Sequence, residues 1–324
     1  MLEKKTDKLD IKDLKILVEL ENNSRQSYGK IAKKVGLSKE VVLYRIKNLE
    51  KIGIIRKYIT PVDIYKLGYL VYSVLIKFYE IPKEQENIIY EYIKNCESVS
   101  WAAVCESGSW DVNLTLRIRS AYELTKFFED FENKFGNFIA EKELMYTYSV
   151  NYFKRNFGID KQERTIYQMS ETKEKISLTK NEEKLLHLIA ANARKPITDV
   201  AKELSVSLPT AISMLKKLEN EKIIQGYRVF TSFAERGYSY YKLWFRLNAL
   251  SKKDWDIVYS FLSFNEYVLW TSHLIGSYSF SIEIEVPSAE EFRSFINRFK
   301  EKFHHLIKKR DSFAVSKEIV LRYF

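Results

Sequence analysis

The feature that most constrains the fold is an internal repeat, because it divides the chain of 324 residues into two similar halves. Matching residues recur about 169 positions apart, and the offset shortens to about 168 in the last part of each copy. The matches include, in order, Leu49-Glu50 with Leu218-Glu219, Ile54-Ile55 with Ile223-Ile224, Gly68-Tyr69 with Gly237-Tyr238, Trp101 with Trp270, Gly108-Ser109 with Gly276-Ser277, and Phe127, Phe131 and Phe135 with Phe295, Phe299 and Phe303. Such an ordered series indicates a duplication.

Each copy opens with the pattern of a helix-turn-helix. In the first copy a short helix over 28–36 is followed by a longer one that ends near Gly53. Gly36 can adopt the left-handed conformation that ends a helix, and Ser38 can cap the next one. The stretch 54–61 that follows is predicted to be a short wing strand. A helix, a tight turn and a second helix are typical of DNA-binding proteins.

The rest of each copy predicts a different module. In the first copy, β-rich runs at 69–78, 98–106, 110–119 and 144–153 alternate with helical patterns at 82–94 and after Ser120. The resulting order β-α-β-β-α-β is that of a ferredoxin-like unit. We therefore predict an α+β fold with winged helix-turn-helix modules at 1–60 and 178–230, ferredoxin-like modules at 61–157 and 231–324, and a polar linker at 158–177.

The second helix of each helix-turn-helix supplies the candidate DNA-binding residues. In the first copy Val42, Ile46 and Leu49 share the core face. The outward residues are Lys39, Tyr44, Arg45 and Lys47, and in the second copy Thr210, Ser213 and Lys216. Arginine can bond guanine O6 and N7 together, whereas Met214 stands at the position of Arg45 and can pair with neither base nor phosphate. We expect the second copy to bind DNA more weakly, or to read it by shape and phosphate contacts alone. For the helix of the first copy, the alternative to DNA binding is an ordinary solvated basic face.

The composition agrees with a nucleic-acid partner, and the sequence argues against a secreted, a membrane and a metal-binding protein. The net charge is +10 and the sequence pI is about 9.2, which favours a polyanion such as double-stranded DNA. No apolar run approaches the length of a signal peptide core or a membrane helix. The two cysteines, Cys96 and Cys105, have no second pair and no histidine at a ligand spacing. We expect a cytoplasmic protein without a metal, a cofactor or a membrane partner.

These residues resemble the Lrp/AsnC (leucine-responsive, feast/famine) transcriptional regulators. The resemblance rests on Gly36-Leu37-Ser38, Arg45-Ile46 and Gly53-Ile54-Ile55, followed by a ferredoxin-like module with Gly108-Ser-Trp-Asp111 after its second strand. It covers each copy almost end to end, so the chain looks like two family members fused. The resemblance implies that the second module mediates dimerisation, and that it often binds an amino acid or similar small effector near this turn.

Carried over by position, the effector candidates are Gly108 and Asp111 in the first copy and Gly276 and Ser279 in the second. The alternative is that both glycines only form a turn, for which glycine is the default residue. Ser279 departs from the acid in the family's pattern, which argues against effector binding by the second copy. The duplication also predicts that one chain supplies both halves of a family dimer, as an internal pseudo-dimer; pairing between chains in a homo-oligomer is the alternative.

The predicted function is that of a DNA-binding transcriptional regulator and not of an enzyme. The first alternative is a decarboxylase of a siroheme-type tetrapyrrole, since some proteins built from this pair of modules have that activity. Such an enzyme would need histidines and arginines collected in the regulatory modules, and His273 is the one suggestive residue. A histidine alone on a strand is more often packed or exposed than catalytic. The second alternative is an interaction protein that keeps the helix-turn-helix only as a scaffold.

Overall fold

Three helices open each copy. They are α1 (Ile11–Asn22), α2 (Tyr28–Val35) and α3 (Lys39–Lys51) in the first copy, and α6 (Lys180–Ala191), α7 (Ile197–Glu203) and α8 (Leu208–Asn220) in the second. The residues expected to bound α2 and α3 do so: Gly36 ends α2 with a φ of +66°, and the Ser38 hydroxyl accepts a hydrogen bond from the Val41 amide.

The structure is a computed structural model and describes residues 9–160, 162–322 and 324. The predicted domains 1–60 and 231–324 and the predicted linker 158–177 contain residues 1–8, Tyr323 and Lys161 respectively, which lie outside the described residues. No helix in the described part of the chain is long and apolar enough to cross a membrane.

The wing strands of the two copies pair with each other. Strand β1 (Ile55–Ile59) runs antiparallel to β7 (Arg228–Thr231) in a two-stranded sheet. The two copies also exchange core residues. Val229 and Phe233 of the second copy complete the core of the first three-helix module. Val62 and Leu67 do the same for the second module. Each winged helix therefore depends on the other copy for part of its apolar core.

The remainder of each copy is a ferredoxin-like module, so the predicted fold class is confirmed. The first module contains β2 (Leu70–Phe78), α4 (Lys83–Asn95), β3 (Val99–Glu106), β4 (Val112–Ile118), α5 (Ala121–Phe135) and β5 (Ile139–Phe153). The second contains β8 (Ser239–Leu247), α9 (Lys252–Ser263), β9 (Val268–Ile275), β10 (Phe280–Val286), α10 (Ala289–Phe303) and β11 (Ile307–Leu321). Single 3-10 turns lie at Gly136–Phe138, Ala234–Arg236 and His304–Leu306.

The two modules join edge to edge into a closed ring of eight strands. Residues 139–146 of β5 pair with β2 of their own module, and residues 146–152 pair with β9 of the other. Strand β11 bridges β8 and β3 in the same way. The strand β6 (Ile166–Ser170), which lies inside the segment predicted to be a linker, extends the sheet beside β5. Pairing of the two regulatory modules is thus present within one chain.

Apolar side chains pack on both faces of this ring, with more of them on the outer face than on the inner face. On the outside, the helices cover two large cores that include the phenylalanines at 127, 131 and 135 and at 295, 299 and 303. On the inside, a smaller cluster around Leu75, Trp244 and Phe313 fills one end. Successive strand residues point alternately to the outside and to the interior of the ring. The polar residues that point to the interior lie mainly at the end of the ring nearest the wing strands.

Candidate nucleic-acid interface and interior cavity

The outer face of α3 is set by the burial of its opposite face. Val42, Ile46 and Leu49 are buried, and the helical period turns Lys39, Tyr44 and Lys47 outward. Tyr44 has 72% of its surface exposed, and both lysines are exposed as well. Among the described residues, neither lysine has an ion-pair partner. These three side chains together form an accessible surface that can contact phosphates and base edges.

Arg45 is held differently from the other three candidates. Its Nη1 donates to Asp10 Oδ2 at 2.7 Å and to Asp13 Oδ1 at 2.8 Å, and the arginine side chain is 26% exposed. These hydrogen bonds to Asp13 and Asp10 raise the pKa of Arg45 above its usual value. The same two carboxylates form the capping box of α1. Arg45 therefore ties α3 to the start of α1, and any contact of its side chain with a base would compete with this ion pair.

The second copy makes the corresponding tie with another residue. Met214, at the position of Arg45, packs against the core of its own module. The tie between helices is made instead by Lys217, whose Nζ lies 2.8 Å from Glu182 Oε1 in the capping box of α6. Of the predicted contact residues, Ser213 and Lys216 are exposed, while the hydroxyl of Thr210 lies 2.7 Å from Ser207 Oγ at the helix cap. The outer face of α8 is thus less basic than that of α3.

A reciprocal pair of arginine contacts fixes the two winged helices relative to each other. Arg25 Nη1 donates to the carbonyl of Ala193 at 2.6 Å, and Arg194 Nη1 donates to the carbonyl of Ser24 at 2.5 Å. Both guanidinium groups also lie over tyrosine rings, Arg25 at 5.1 Å from the ring centre of Tyr227. Because the contacts repeat with the period of the sequence, the two modules are related by an approximate two-fold arrangement like that of a dimer.

The four predicted effector residues lie in two equivalent turns. Asp111 Oδ2 accepts a hydrogen bond from the Phe78 amide at 2.7 Å, and Ser279 Oγ accepts one from the Leu247 amide at 2.9 Å. Phe78 and Leu247 are the last residues of β2 and β8, so the serine makes the same contact as the acid. Ser279, which departs from the family's acid and was expected to argue against effector binding by the second copy, therefore conserves this hydrogen bond.

Both glycines are packed closely against the opposite module. A Cβ at Gly108 would lie 2.9 Å from Phe313 Cβ and 3.0 Å from the Ser312 carbonyl oxygen. At Gly276, where φ is +150°, a Cβ would lie 2.8 Å from Met145 Cγ. The close approach of each turn to the neighbouring strand therefore accounts for both glycines without a ligand.

A cavity of about 1030 Å³ lies between the two modules and the paired wings. Its charged wall comes mainly from the second copy: Lys242 Nζ lies 2.8 Å from Glu283 Oε1, and Tyr240 also donates to Glu283. Next to it the indole Nε1 of Trp101 donates to Glu318 Oε1 at 2.9 Å. The opposite wall presents hydroxyl groups of Ser73, Thr115 and Thr147.

The charged groups of the cavity wall interact with one another and with the residues that follow β7. Desolvation inside the ring raises the pKa of Glu318, and the nearby carboxylate of Glu283 adds to the shift. Glu285, another wall residue, pairs with Arg155 at 2.8 Å and accepts a hydrogen bond from the Phe233 amide at 2.9 Å. Since Phe233 belongs to the core of the first winged helix, the cavity wall is in direct contact with that module.

Sequence reasoning missed this cavity, although one signal was available. Glu283 and Glu285 are charged residues on β10 whose neighbours along the strand are buried and apolar, and Lys242 on β8 is itself buried beside Leu243. A strand with a hydrophobic outer face normally carries apolar residues inward as well when it closes a dry core. Charged residues at inward positions therefore indicate a polar interior.

His273 lies away from this cavity. It is buried beneath α9, where its Nε2 is 2.6 Å from the Tyr259 hydroxyl and its ring packs against Trp255 and Phe280. Burial lowers the pKa of His273 to about 4. None of the four histidines, all of which the structure describes, lines the cavity. Within 9–160, 162–322 and 324 no group of three or more histidine, cysteine, aspartate or glutamate side chains is placed to hold a metal ion.

Comparison with known proteins settles the family. A family model described as winged helix-turn-helix DNA-binding matches residues 9–56 and again residues 178–225. The HTH-type transcriptional regulator PH0061 of Pyrococcus horikoshii is 32% identical over 132 residues, which is 41% of this chain and 83% of that protein. The chain belongs to the Lrp/AsnC family of HTH-type transcriptional regulators. LrpC of Bacillus subtilis is 44% identical over 61 residues, 19% of this chain and 42% of LrpC. The two separate ranges matched by the family model agree with a tandem arrangement of two Lrp/AsnC copies.

One comparison corrects a prediction made from the sequence. The crystal structure of the siroheme decarboxylase NirDL matches 97% of this Lrp/AsnC chain and 94% of its own, with a TM-score of 0.63 and 15% identity. At this identity the likeness concerns the fold alone. The fold is nevertheless that of an enzyme over almost the whole chain, so the prediction that the chain is not an enzyme is wrong. The prediction depended on single residues and short motifs, and a likeness of the whole fold is visible in neither.

Proposed function

We propose that the chain binds specific sites in double-stranded DNA and regulates transcription in the cytoplasm, with the first winged helix making most of the base contacts. One observation carries this proposal: Lys39, Tyr44 and Lys47 stand exposed on α3 of a module that is hydrogen-bonded to a second one. Family membership and the net charge of +10 support it. Thr210, Ser213 and Lys216 of α8 would add weaker contacts in the neighbouring half-site.

The two halves of the binding site are expected to differ. A strict dimer presents two identical helices and so selects a palindrome. Here α3 offers two free lysines and Arg45, whereas α8 offers one lysine and two hydroxyls. The proposed operator therefore has one well-defined half and one degenerate half.

Control by a small effector such as an amino acid is the second part of the proposal. Gly108 and Asp111, and equally Gly276 and Ser279, belong to turns that press against the other module. A ligand beside either turn would act on the contact between the two modules. Because the wings are paired with each other, a shift between modules would change the spacing of α3 and α8.

Selection of bound fragments from genomic DNA, followed by footprinting, tests the DNA-binding proposal. The expected result is a protected site with unequal halves and an affinity that falls steeply with salt concentration. Binding that is independent of sequence at all salt concentrations would contradict the proposal, as would a palindrome with equally protected halves.

A second candidate function is decarboxylation of a siroheme-type tetrapyrrole. Two observations favour it: the fold shared with siroheme decarboxylase over 97% of the chain, and a cavity of about 1030 Å³ with Arg56 and Lys57 in its lining. Guanidinium and ammonium groups suit the carboxylates of such a substrate. Titration with iron-uroporphyrin III, watched by its visible absorption, separates the candidates. A saturable spectral change at micromolar concentration supports this function, and no change up to millimolar concentration counts against it.

A further inference from the structure

We propose that a basic patch on the second ferredoxin-like module binds the phosphate backbone of a second segment of double-stranded DNA. The patch surrounds the start of β11, at the end of the ring opposite the wing strands. We call it the distal patch, and its members are Arg246, Lys300, Lys308, Lys309 and Arg310, all of which are exposed. The contact of the distal patch with DNA does not depend on α3, whereas the existence of a first bound segment rests on the proposed function.

The charge of this region distinguishes the two copies. Residues 298–311 contain six basic and two acidic residues, which gives a net charge of +4. The equivalent residues of the first copy, 130–143, contain two basic and four acidic residues, which gives a net charge of −2. Both ranges form the same elements, namely the end of a helix, a 3-10 turn and the start of a long strand. The fold alone therefore does not require the basic side chains.

One ion pair of the first copy is replaced by two cations in the second. Lys77 on β2 and Glu141 on β5 are register partners, and Lys77 Nζ lies 4.0 Å from Glu141 Oε1. At the equivalent positions, Arg246 on β8 and Lys309 on β11 are register partners. Like charges directly opposite each other on neighbouring strands are destabilising. An anion bound beside both side chains would remove this repulsion.

A second ion pair is replaced in the same way. Glu132 on α5 pairs with Lys142 on β5 in the first copy. Lys300 on α10 and Arg310 on β11 occupy these positions in the second copy, and neither has an ion-pair partner among the described residues. The dipole of a helix favours a cation near its C-terminal end. Because α5 ends at the equivalent residue and carries Glu132, the dipole does not account for the exchange.

The nearest carboxylate does not offset these two exchanges. Lys309 Nζ lies 3.5 Å from Asp311 Oδ2, and Asp311 also accepts a hydrogen bond from Tyr278. Asp311 corresponds to Glu143 in the first copy, so a carboxylate is present at this position in both copies. The distal patch therefore keeps an excess of positive charge that an external anion can neutralise.

The composition of the distal patch favours DNA over a protein partner. Residues 298–311, all of which the structure describes, include no exposed large hydrophobic side chain. Protein–protein interfaces have an apolar and aromatic core, whereas interfaces with DNA are more polar and much more positively charged. A second copy of this chain also fits poorly, because Glu132 and Glu141 at its acidic end are already paired within the chain.

The position of the distal patch implies contact with a separate stretch of DNA. Lys309 and Glu318 are nine residues apart on β11, which corresponds to about 30 Å along a strand. Glu318 lines the cavity beneath the paired wings, so the winged helices lie beyond that end of the ring. Duplex DNA is stiff, with a persistence length of about 150 bp. A short duplex held by α3 and α8 therefore does not reach the distal patch, and one chain can bridge two duplexes.

A bridging assay on the full chain tests the proposal. A duplex of about 30 bp is attached to beads, the protein is added below saturation, and capture of a second, fluorescent duplex of the same length is measured. The parent should capture the second duplex. The distal variant, Lys300→Glu with Lys309→Glu, places the residues of the first copy in the second copy. It should lower capture about tenfold or more, because two phosphate contacts are replaced by repulsion, while binding of the first duplex is retained.

Two controls separate the distal patch from net charge and from folding. Lys126→Glu with Lys173→Glu makes the same change of net charge at exposed lysines outside the distal patch, and should leave capture unchanged. The melting temperature of the distal variant should be no lower than that of the parent, because the variant can form ion pairs with Arg246 and Arg310 like those of the first copy.

The outcomes distinguish this proposal from the proposed function. If the winged helices do not bind DNA, the parent should still bind one duplex through the distal patch, and the distal variant should bind none. The proposal is overturned if the parent binds one duplex and captures no second one, if the distal variant captures as much as the parent, or if both pairs of substitutions lower capture equally. Self-association of the parent that the distal variant loses in light scattering would show that the patch binds a second copy instead. Displacement of the second duplex by polyglutamate more readily than by free DNA of equal charge would show that it binds an acidic protein.

Discussion

The role of Arg45 gives the sharpest test of how the winged helices work. The substitution Arg45→Met places in α3 the residue that the second copy carries at the same position, Met214. It removes the two ion-pair contacts at 2.7 and 2.8 Å to Asp10 and Asp13. These contacts are partly exposed, so their loss should lower the free energy of unfolding by at most about 1 kcal/mol.

The effect on DNA binding should be larger if Arg45 reads a base. Loss of a bidentate contact to guanine costs about 1–3 kcal/mol, which is roughly a fivefold to 150-fold loss of affinity for the operator. Binding to unrelated DNA should fall much less, because phosphate contacts supply most of it. Fluorescence anisotropy with the selected operator and a scrambled duplex, both at the same salt concentration, gives the ratio of the two affinities. This ratio shows whether Arg45 contacts a base.

Two matched variants show whether the ion pair competes with DNA. Asp13→Asn releases one of the two contacts of Arg45 and should strengthen operator binding, while Met214→Ala should change neither ratio nor affinity. If Arg45→Met lowers the melting temperature but leaves the ratio of operator to scrambled binding unchanged, Arg45 does not contact a base. In that case Arg45 only joins α3 to α1, and the lysines carry the recognition.

Three other predictions follow from particular contacts. Lys47→Ala should weaken binding to all duplexes about equally and reduce the dependence of log affinity on log salt by about one unit, as measured by anisotropy between two salt concentrations. Gly276→Ala should lower the melting temperature more than Gly226→Ala, because both positions have positive φ but a Cβ meets Met145 only at Gly276; equal losses would mean that the contact costs nothing. Because His273 is neutral in the folded state down to a pKa of about 4, its contribution to stability is complete above the unfolded value near 6.5 and is lost as the pH falls between them, by up to about 3 kcal/mol. His273→Gln should remove that part of the pH dependence in urea unfolding, and an unchanged pH profile would contradict the assignment.

The order of elements within each copy could be predicted from local sequence signals alone. Gly36, Ser38 and the capping box at Thr179 act within a few residues, so their effect on helix limits is independent of the rest of the fold. The alternation of apolar residues likewise predicted all eight strands of the two ferredoxin-like modules through their repeat. The segment 158–177 was predicted to be a linker because its charges hide the short alternation that forms β6.

The candidate site was less accessible to such reasoning, because its chemistry depends on residues far apart in sequence. Arg45 was predicted to face outward from its position on the helix, but its partners Asp10 and Asp13 belong to another helix. Periodicity gives the direction of a side chain and says nothing of what it meets there. The cavity unites Trp101, Lys242 and Glu318 only after β3 has paired with β11, and that pairing joins the two copies.

The fusion of two copies explains why this chain can depart from a symmetric regulator. In a dimer of identical chains every substitution appears twice, so a charged residue placed inside the ring must be tolerated in both walls at once. Here Glu283 stands in one wall where Thr115 stands in the other, and Lys242 lies opposite Glu283 as its partner. A buried carboxylate without a cation is strongly destabilising, so such a pair is easier to establish once than twice. The two copies differ in the same way at Met214, which stands at the position of Arg45 in the first copy. Because Glu285 joins the charged wall to Phe233 in the core of the first winged helix, an occupant of the cavity would act on the more basic of the two DNA-binding modules.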